Sequence, residues 1–178
     1  MCGIAGKISF VEKNISPQEV ETMNDAIKHR GPDDEGVYIS PDAKVGLGHR
    51  RLSIIDLSPL GHQPMRYLDR YEIVFNGEIY NFEEKRAMLI QEGYTFSSHS
   101  DTEVSLALYD KYQEKCVDHL RGMFAFAIYD EHKQVLFCAR DRVGKKPFKY
   151  YIDDNVVLFA SELKAILTQP EYHREPDY

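Results

Sequence analysis

The chain has no CxxC pair, no HExxH element and no apolar run near the ~20 residues that a membrane helix requires. Its three cysteines, Cys2, Cys116 and Cys138, are odd in number and irregular in spacing. That excludes the disulfide framework of a small secreted domain and a cysteine-based zinc site. Seven histidines are scattered without ligand spacing, so no metal is expected. Basic charge is scarce: 22 Lys and Arg stand against 29 Asp and Glu, a net charge of −7. Such an acidic surface repels phosphate backbones, so a nucleic-acid partner is not expected. The first residues lack the charged region and apolar run of a signal peptide, and position 2 is not Gly, the myristoylation acceptor. The expectation is a cytoplasmic protein in a reducing compartment, with no membrane partner.

What is present is globular. The 178 residues are 43% hydrophobic, enough for one domain with a substantial core. No internal repeat or low-complexity segment occurs. "CGIAGKISF" has strand periodicity through Ile4, Ile8 and Phe10. "SPQEVETMNDAIKHRG" predicts a helix with Ser16 as cap, Pro17 in the first turn, Glu19 closing a capping box and Gly31 as the stop. Strand-like runs follow at 36–40, 44–48 and 71–76. Helices are predicted over 81–93 and over 100–112, the second opened by a Ser100/Glu103 capping box. A short helix fits 114–120. "GMFAFAIYD" (122–130) and "QVLFCARD" (134–141) read as a buried hairpin, then "VVLFAS" as a strand and "ELKAIL" as a short helix. Roughly eight strands with hairpin connections and three or four helices favour an α+β fold of two mainly antiparallel sheets with helices outside. The tail "TQPEYHREPDY" reads as a linker.

Several residues could carry chemistry. Removal of Met1 would make Cys2 the first residue, with its thiol beside a free α-amine; one residue then supplies nucleophile and base. Position alone favours a buried structural cysteine. "FNGEIYN" (75–81) places Asn76-Gly77 after a strand. The pair is a strong hairpin signal, yet a helix start follows, and an Asn amide with a Gly N–H can also form an oxyanion hole. Asp101 begins a helix, where capping alone would explain it. Lys145 and Lys146 read as solvated.

Taken in order, "MCGIAG", "HRGPDDEG", "GHRRLSIIDLSPLGHQPM", "NGEIYN", "SDTEV", "GMFAFAIYD" and "RDRVGKKPF" resemble the glutaminase domain of the glutamine-hydrolysing asparagine synthetases. Those are class II glutamine amidotransferases. The resemblance runs from residue 2 to about 168. It implies the four-layer αββα sandwich of the N-terminal-nucleophile hydrolases over 1–168, with 169–178 opening a linker to a synthetase domain. It implies that Cys2, with its amine freed, attacks the side-chain amide of L-glutamine, while the Asn76 side chain and the Gly77 N–H hold the oxyanion. Arg51 would bind the substrate carboxylate, for which a guanidinium suits, and Asp101 the α-ammonium. Leu52, Ser53, Ile54, Ile55 and Glu78 would complete the pocket. No cofactor is implied for this domain; ATP and magnesium would serve only the synthetase domain, whose SGGxDS loop does not occur here.

The ammonia would amidate aspartate, or another carboxylate in a synthetase-like relative. An apolar surface near "GMFAFAIYD" or 142–151 is expected to face the synthetase domain. A homodimer is compatible with the same resemblance. One departure is local: the family's KPLYY reads "KPFKYY" here. A second family of the same fold, the glucosamine-6-phosphate synthases, carries a "TRWATHG"-like arginine loop where this chain has "HRRLSIID". A third reading is a glutamine-binding module without turnover, which would follow from retention of Met1, since the Cys2 nitrogen would then be an amide.

Overall fold

Residues 1–172 are described in a computed structural model, and among them nine strands and four α-helices follow one another along the chain. They are β1 (Gly3–Ser9), α1 (Pro17–Ala26), β2 (Asp34–Ile39), β3 (Val45–Arg51), β4 (Met65–Tyr67), β5 (Tyr71–Ile79), α2 (Phe82–Gln91), α3 (Asp101–Tyr112), β6 (Gly122–Asp130), β7 (Val135–Arg140), β8 (Lys149–Ile152), β9 (Val156–Ala160) and α4 (Leu163–Ile166). The strands form two sheets, in the orders β2-β3-β1-β9-β8 and β4-β5-β6-β7. Every pairing is antiparallel.

Strand alternation makes the layers. From β6, Phe124, Phe126 and Ile128 point outward into a core with Val104, Leu106 and Leu108 of α3. Ala125, Ala127 and Tyr129 of the same strand point inward, against Ile4, Leu47 and Phe159 of the other sheet. Beyond that second sheet, Ala5 and Leu158 pack under Met23, Ile27 and Ala165. Three apolar layers between four structural layers give the expected αββα sandwich. Close approach of α1 to β3 depends on the glycine alternation in "VGLGHRR": a Cβ at Gly48 would lie 2.4 Å from Asn24 Oδ1 and 2.8 Å from Val20.

Three local expectations change. Strand β5 does not end at residue 76; it runs through Asn76-Gly77 to Ile79, with these two residues opposite Ala125 and Phe124. The Ser16/Glu19 capping box is present. At α3, Ser100 Oγ accepts from Glu103 N–H, but the Glu103 carboxylate turns to the N–H groups of Ser97 and Ser98 instead of completing a box. The short strands β4 and β8 lack sequence patterns long enough to be seen. In the tail, Gln169 is buried, Glu171 pairs with Lys7 and Lys13, and Tyr172 packs edge-on against Tyr151. Residues 169–172 therefore lie against the domain; the rest of the expected linker, 173–178, lies outside the described residues. An apolar groove lined by Cys138, Ala139, Phe148, Tyr150, Val157 and Phe159 runs beside β7 and β8, next to the 142–151 segment.

Candidate active site

Sheet pairing brings the chain start to the end of β3. Gly3 lies opposite Arg50, so Cys2 meets Leu52 as β3 runs out. The second half of β5 comes in from the other sheet, and the N-terminus of α3 closes the side. Cys2, Arg51, Asn76, Glu78, Asp101 and Lys146 all line the resulting cleft. Leu52, Ile54, Ile55 and Gly77 line it as well. Ser53 does not: its N–H donates to Asp33 Oδ2 at 2.8 Å, away from the cleft.

Cys2 is half-buried and free. Its Sγ accepts from Leu52 N–H at 3.4 Å and lies 3.5 Å from Leu52 O. Burial pushes the thiol up from its ordinary pKa; the Leu52 backbone, the amino terminus, Arg51 and Lys146 act in the opposite sense. The Cys2 carbonyl is held by Arg30 Nε at 3.0 Å, which fixes the start of β1.

Asn76 and Gly77 turn donors toward the cleft. Asn76 is 1% exposed, and its Nδ2 has no hydrogen-bond partner among the described residues. Leaving such a donor buried costs about 1–3 kcal/mol. Gly77 follows from strand geometry. In an antiparallel ladder every second residue turns its N–H away from the partner strand. On β5 those residues include Phe75, whose N–H goes to Gln63 Oε1 at 2.7 Å, and Ile79, whose N–H goes to Asp101 Oδ2 at 2.9 Å. Gly77 shares their parity, so its N–H lies on the same edge between them, toward the cleft. Only glycine fits here, because a Cβ would stand 2.4 Å from Met123 O. The position of this strand is fixed from β3 by His49, whose Nε2 donates to Phe75 O at 3.0 Å. Burial lowers the His49 pKa to about 4, so the ring is neutral near pH 7.

The charged groups flank this pair. Asp101 is 4% exposed, and burial raises its pKa to about 6 against the pull of the Ile79 and Thr102 N–H groups, with Glu78 adding to the rise. A carboxylate so placed gains from an incoming cation. Arg51 is oriented by the carbonyls of Ser58 (3.1 Å) and Asp56, in the loop that follows β3. Its guanidinium also touches Gly61, where a side chain would collide with it.

Lys146 was not legible. Expected in solvent, it is 4% exposed and reaches into the cleft, with Nζ 3.0 Å from Met1 Sδ. Gln63, between β5 and Thr102, was also missed as an individual residue, although its loop "GHQPM" belongs to one of the motifs. Among the described residues no cluster of three His, Cys, Asp or Glu could hold a metal ion.

An αββα sandwich of two antiparallel sheets whose cleft holds a cysteine at position 2, two inward-facing donors, a guanidinium and a carboxylate has the architecture of the N-terminal-nucleophile amidotransferases. The chain matches, over residues 1–178, the family model described as a glutamine amidotransferase domain. It belongs to that family and is an enzyme domain of the glutamine amidotransferase type.

It is 47% identical to a putative glutamine-hydrolysing asparagine synthetase of Methanocaldococcus jannaschii over 98% of this chain and 36% of that protein. It is 44% identical to asparagine synthetase 3 of Bacillus subtilis over 99% of this chain and 29% of that protein. Amidase chry2 of Gibberella zeae is 42% identical, over 97% of this chain and 28% of that protein. The chain thus spans about a third of the length of these curated relatives. The Bacillus subtilis glutamine phosphoribosylpyrophosphate amidotransferase shares the fold, with a TM-score of 0.77 at 20% identity over 93% of this chain and 43% of that one.

Proposed function

We propose that the domain hydrolyses L-glutamine to glutamate and ammonia through a thioester on Cys2. The observation that carries this reading is the pair of unclaimed donors, Asn76 Nδ2 and Gly77 N–H, beside the half-buried thiol. With Met1 removed, the freed amine takes the thiol proton and the thiolate attacks the amide carbon. Charge moves to the carbonyl oxygen, held by the two donors. The C–N bond then breaks as the ammonium returns its proton to the leaving nitrogen, releasing ammonia and leaving the thioester. Water, deprotonated by the same amine, attacks the thioester; the C–S bond breaks and glutamate leaves. Arg51 takes the α-carboxylate, Asp101 the α-ammonium, and Glu78, Leu52, Ile54 and Ile55 shape the rest.

The relatives' names, glutamine-hydrolysing asparagine synthetases, support asparagine formation as the destination of the ammonia; we assign the ATP-dependent amidation of aspartate to the part of such a protein that this chain does not span. ATP and magnesium chemistry belongs there. The groove beside β7 and β8 is the apolar surface suited to that neighbour. We further place the domain in the cytoplasm, in keeping with three free cysteines; among the described residues no helix is long and apolar enough to cross a membrane.

The test is glutamate release from glutamine by chain whose intact mass shows loss of Met1. Turnover by that species and none by Met1-bearing chain is expected; a processed chain that binds glutamine without releasing glutamate overturns the reading. A pH series checks the role of Asp101. The ammonium of glutamine binds the ionised carboxylate, so KM should rise as pH falls through about 6 and approach a tenfold rise per unit well below it. Asp101→Asn should raise KM about 100-fold and abolish that pH dependence.

A further inference from the structure

Lys146 is the charged side chain of the cleft to which no step above gives a role. The chain bends it inward through Asp141, whose carboxylate accepts the N–H of Lys145 at 2.8 Å and of Lys146 at 3.0 Å. The adjacent lysines consequently face opposite ways, Lys145 exposed and Lys146 buried. A buried ammonium ordinarily has an anionic partner, because an unpaired one is costly. Among the described residues the only polar contact of Lys146 Nζ is the thioether of Met1, the residue whose removal the proposed mechanism requires.

The other charges around the nucleophile are accounted for. Arg30 is paired with Glu162 at 2.9 Å, and Arg51 is committed to the carbonyls of Asp56 and Ser58. Glu78 shares the cleft and attracts the ammonium without an ion pair among the described residues, while the exposed Lys145 repels it.

We propose that Lys146 is a positioning residue for Cys2, whose unpaired ammonium keeps the thiol and the freed terminal amine from holding their protons too tightly. This rests on the glutaminase reading. Without Met1, the ammonium loses that contact and is left in the same cleft as Cys2, close enough for each to act on the other's charge. A fixed positive charge lowers the proton affinity of both groups. It stabilises the thiolate that attacks, and it leaves the amine unprotonated near pH 7, where an ordinary terminal amine with pKa about 8 is mostly charged. Burial lowers the pKa of Lys146 itself, while Cys2 and Glu78 act to keep it charged.

The experiment follows Cys2 directly. Processed chain is alkylated with iodoacetamide across a pH range, and modification of the Cys2 peptide is read by mass, apart from Cys116 and Cys138. The same pH range is scanned for kcat/KM with glutamine. For Lys146→Met, the alkylation midpoint and the acid limb should both move up by about one pH unit, with about a tenfold loss of kcat/KM at pH 7. Lys146→Arg, which keeps the charge, should restore the wild-type midpoint. An unmoved midpoint in a folded Lys146→Met chain overturns the proposal even where glutamine turns over normally. A midpoint that moves in a chain that never hydrolyses glutamine supports the electrostatic role and sinks the glutaminase reading instead.

Discussion

Replacing Cys2 by Ala should remove glutamate release by on the order of 10⁴-fold or more, the scale on which loss of a covalent nucleophile is felt. The substitution is narrow. Alanine, like cysteine, is small enough to permit removal of Met1, and the groups that would grip the two ends of glutamine, Arg51 and Asp101, make no side-chain hydrogen bond to Cys2. Glutamine affinity should therefore persist, so the variant separates binding from chemistry. The checks are steady-state glutamate release and calorimetric titration with glutamine. Substantial activity in Cys2→Ala would place the nucleophile elsewhere, and the remaining thiols make poor substitutes: Cys116 is fully buried and its pKa is pushed up to about 12.

Asn76→Ala should lower kcat by about 10²–10³-fold, the loss that follows removal of one oxyanion donor, with little change in KM. Ordinarily, deletion of a buried polar side chain strands its partners. Here Nδ2 has no partner to strand among the described residues, so cooperative unfolding should be retained. A rise in KM at constant kcat would instead make Asn76 a ground-state binding group. Collapse of the fold would make its role structural.

Sequence reading succeeded on the fold. The order of motifs pointed to the fold, and the apolar run "GMFAFAIYD" read as part of a hairpin buried on one or both faces; β6 is buried on both. It was less informative about how groups are held. Asn-Gly carries a turn signal, yet the β5–β6 ladder runs straight through it. Local chemistry permits a turn, and the nine paired positions of the β5–β6 ladder are not visible in a seven-residue window; the requirement for glycine comes from Met123 O, 46 positions away in the chain.

Lys146 failed for a related reason. "KK" in an acidic chain reads as solvent, and only the Asp141 cap on the following turn decides that the second lysine goes in. Ser53 departs in the opposite direction, standing outside the lining of the cleft. A contiguous motif suggests a contiguous pocket, but once β3 ends at Arg51 its neighbours fan out, and Ser53 turns to Asp33. Charge pairs and turn caps between distant segments are what a single sequence conceals.

The central claim is a covalent one: glutamine is cleaved through a thioester on Cys2. Acid-quenching processed chain during turnover with isotopically labelled glutamine, then mapping the label by peptide mass, tests it most directly. The account predicts a glutamyl adduct on the Cys2 peptide that is lost on mild base treatment and absent in Cys2→Ala. Label on another residue, or glutamate produced at full rate with no adduct at any quench time and no loss of rate in Cys2→Ala, would contradict it.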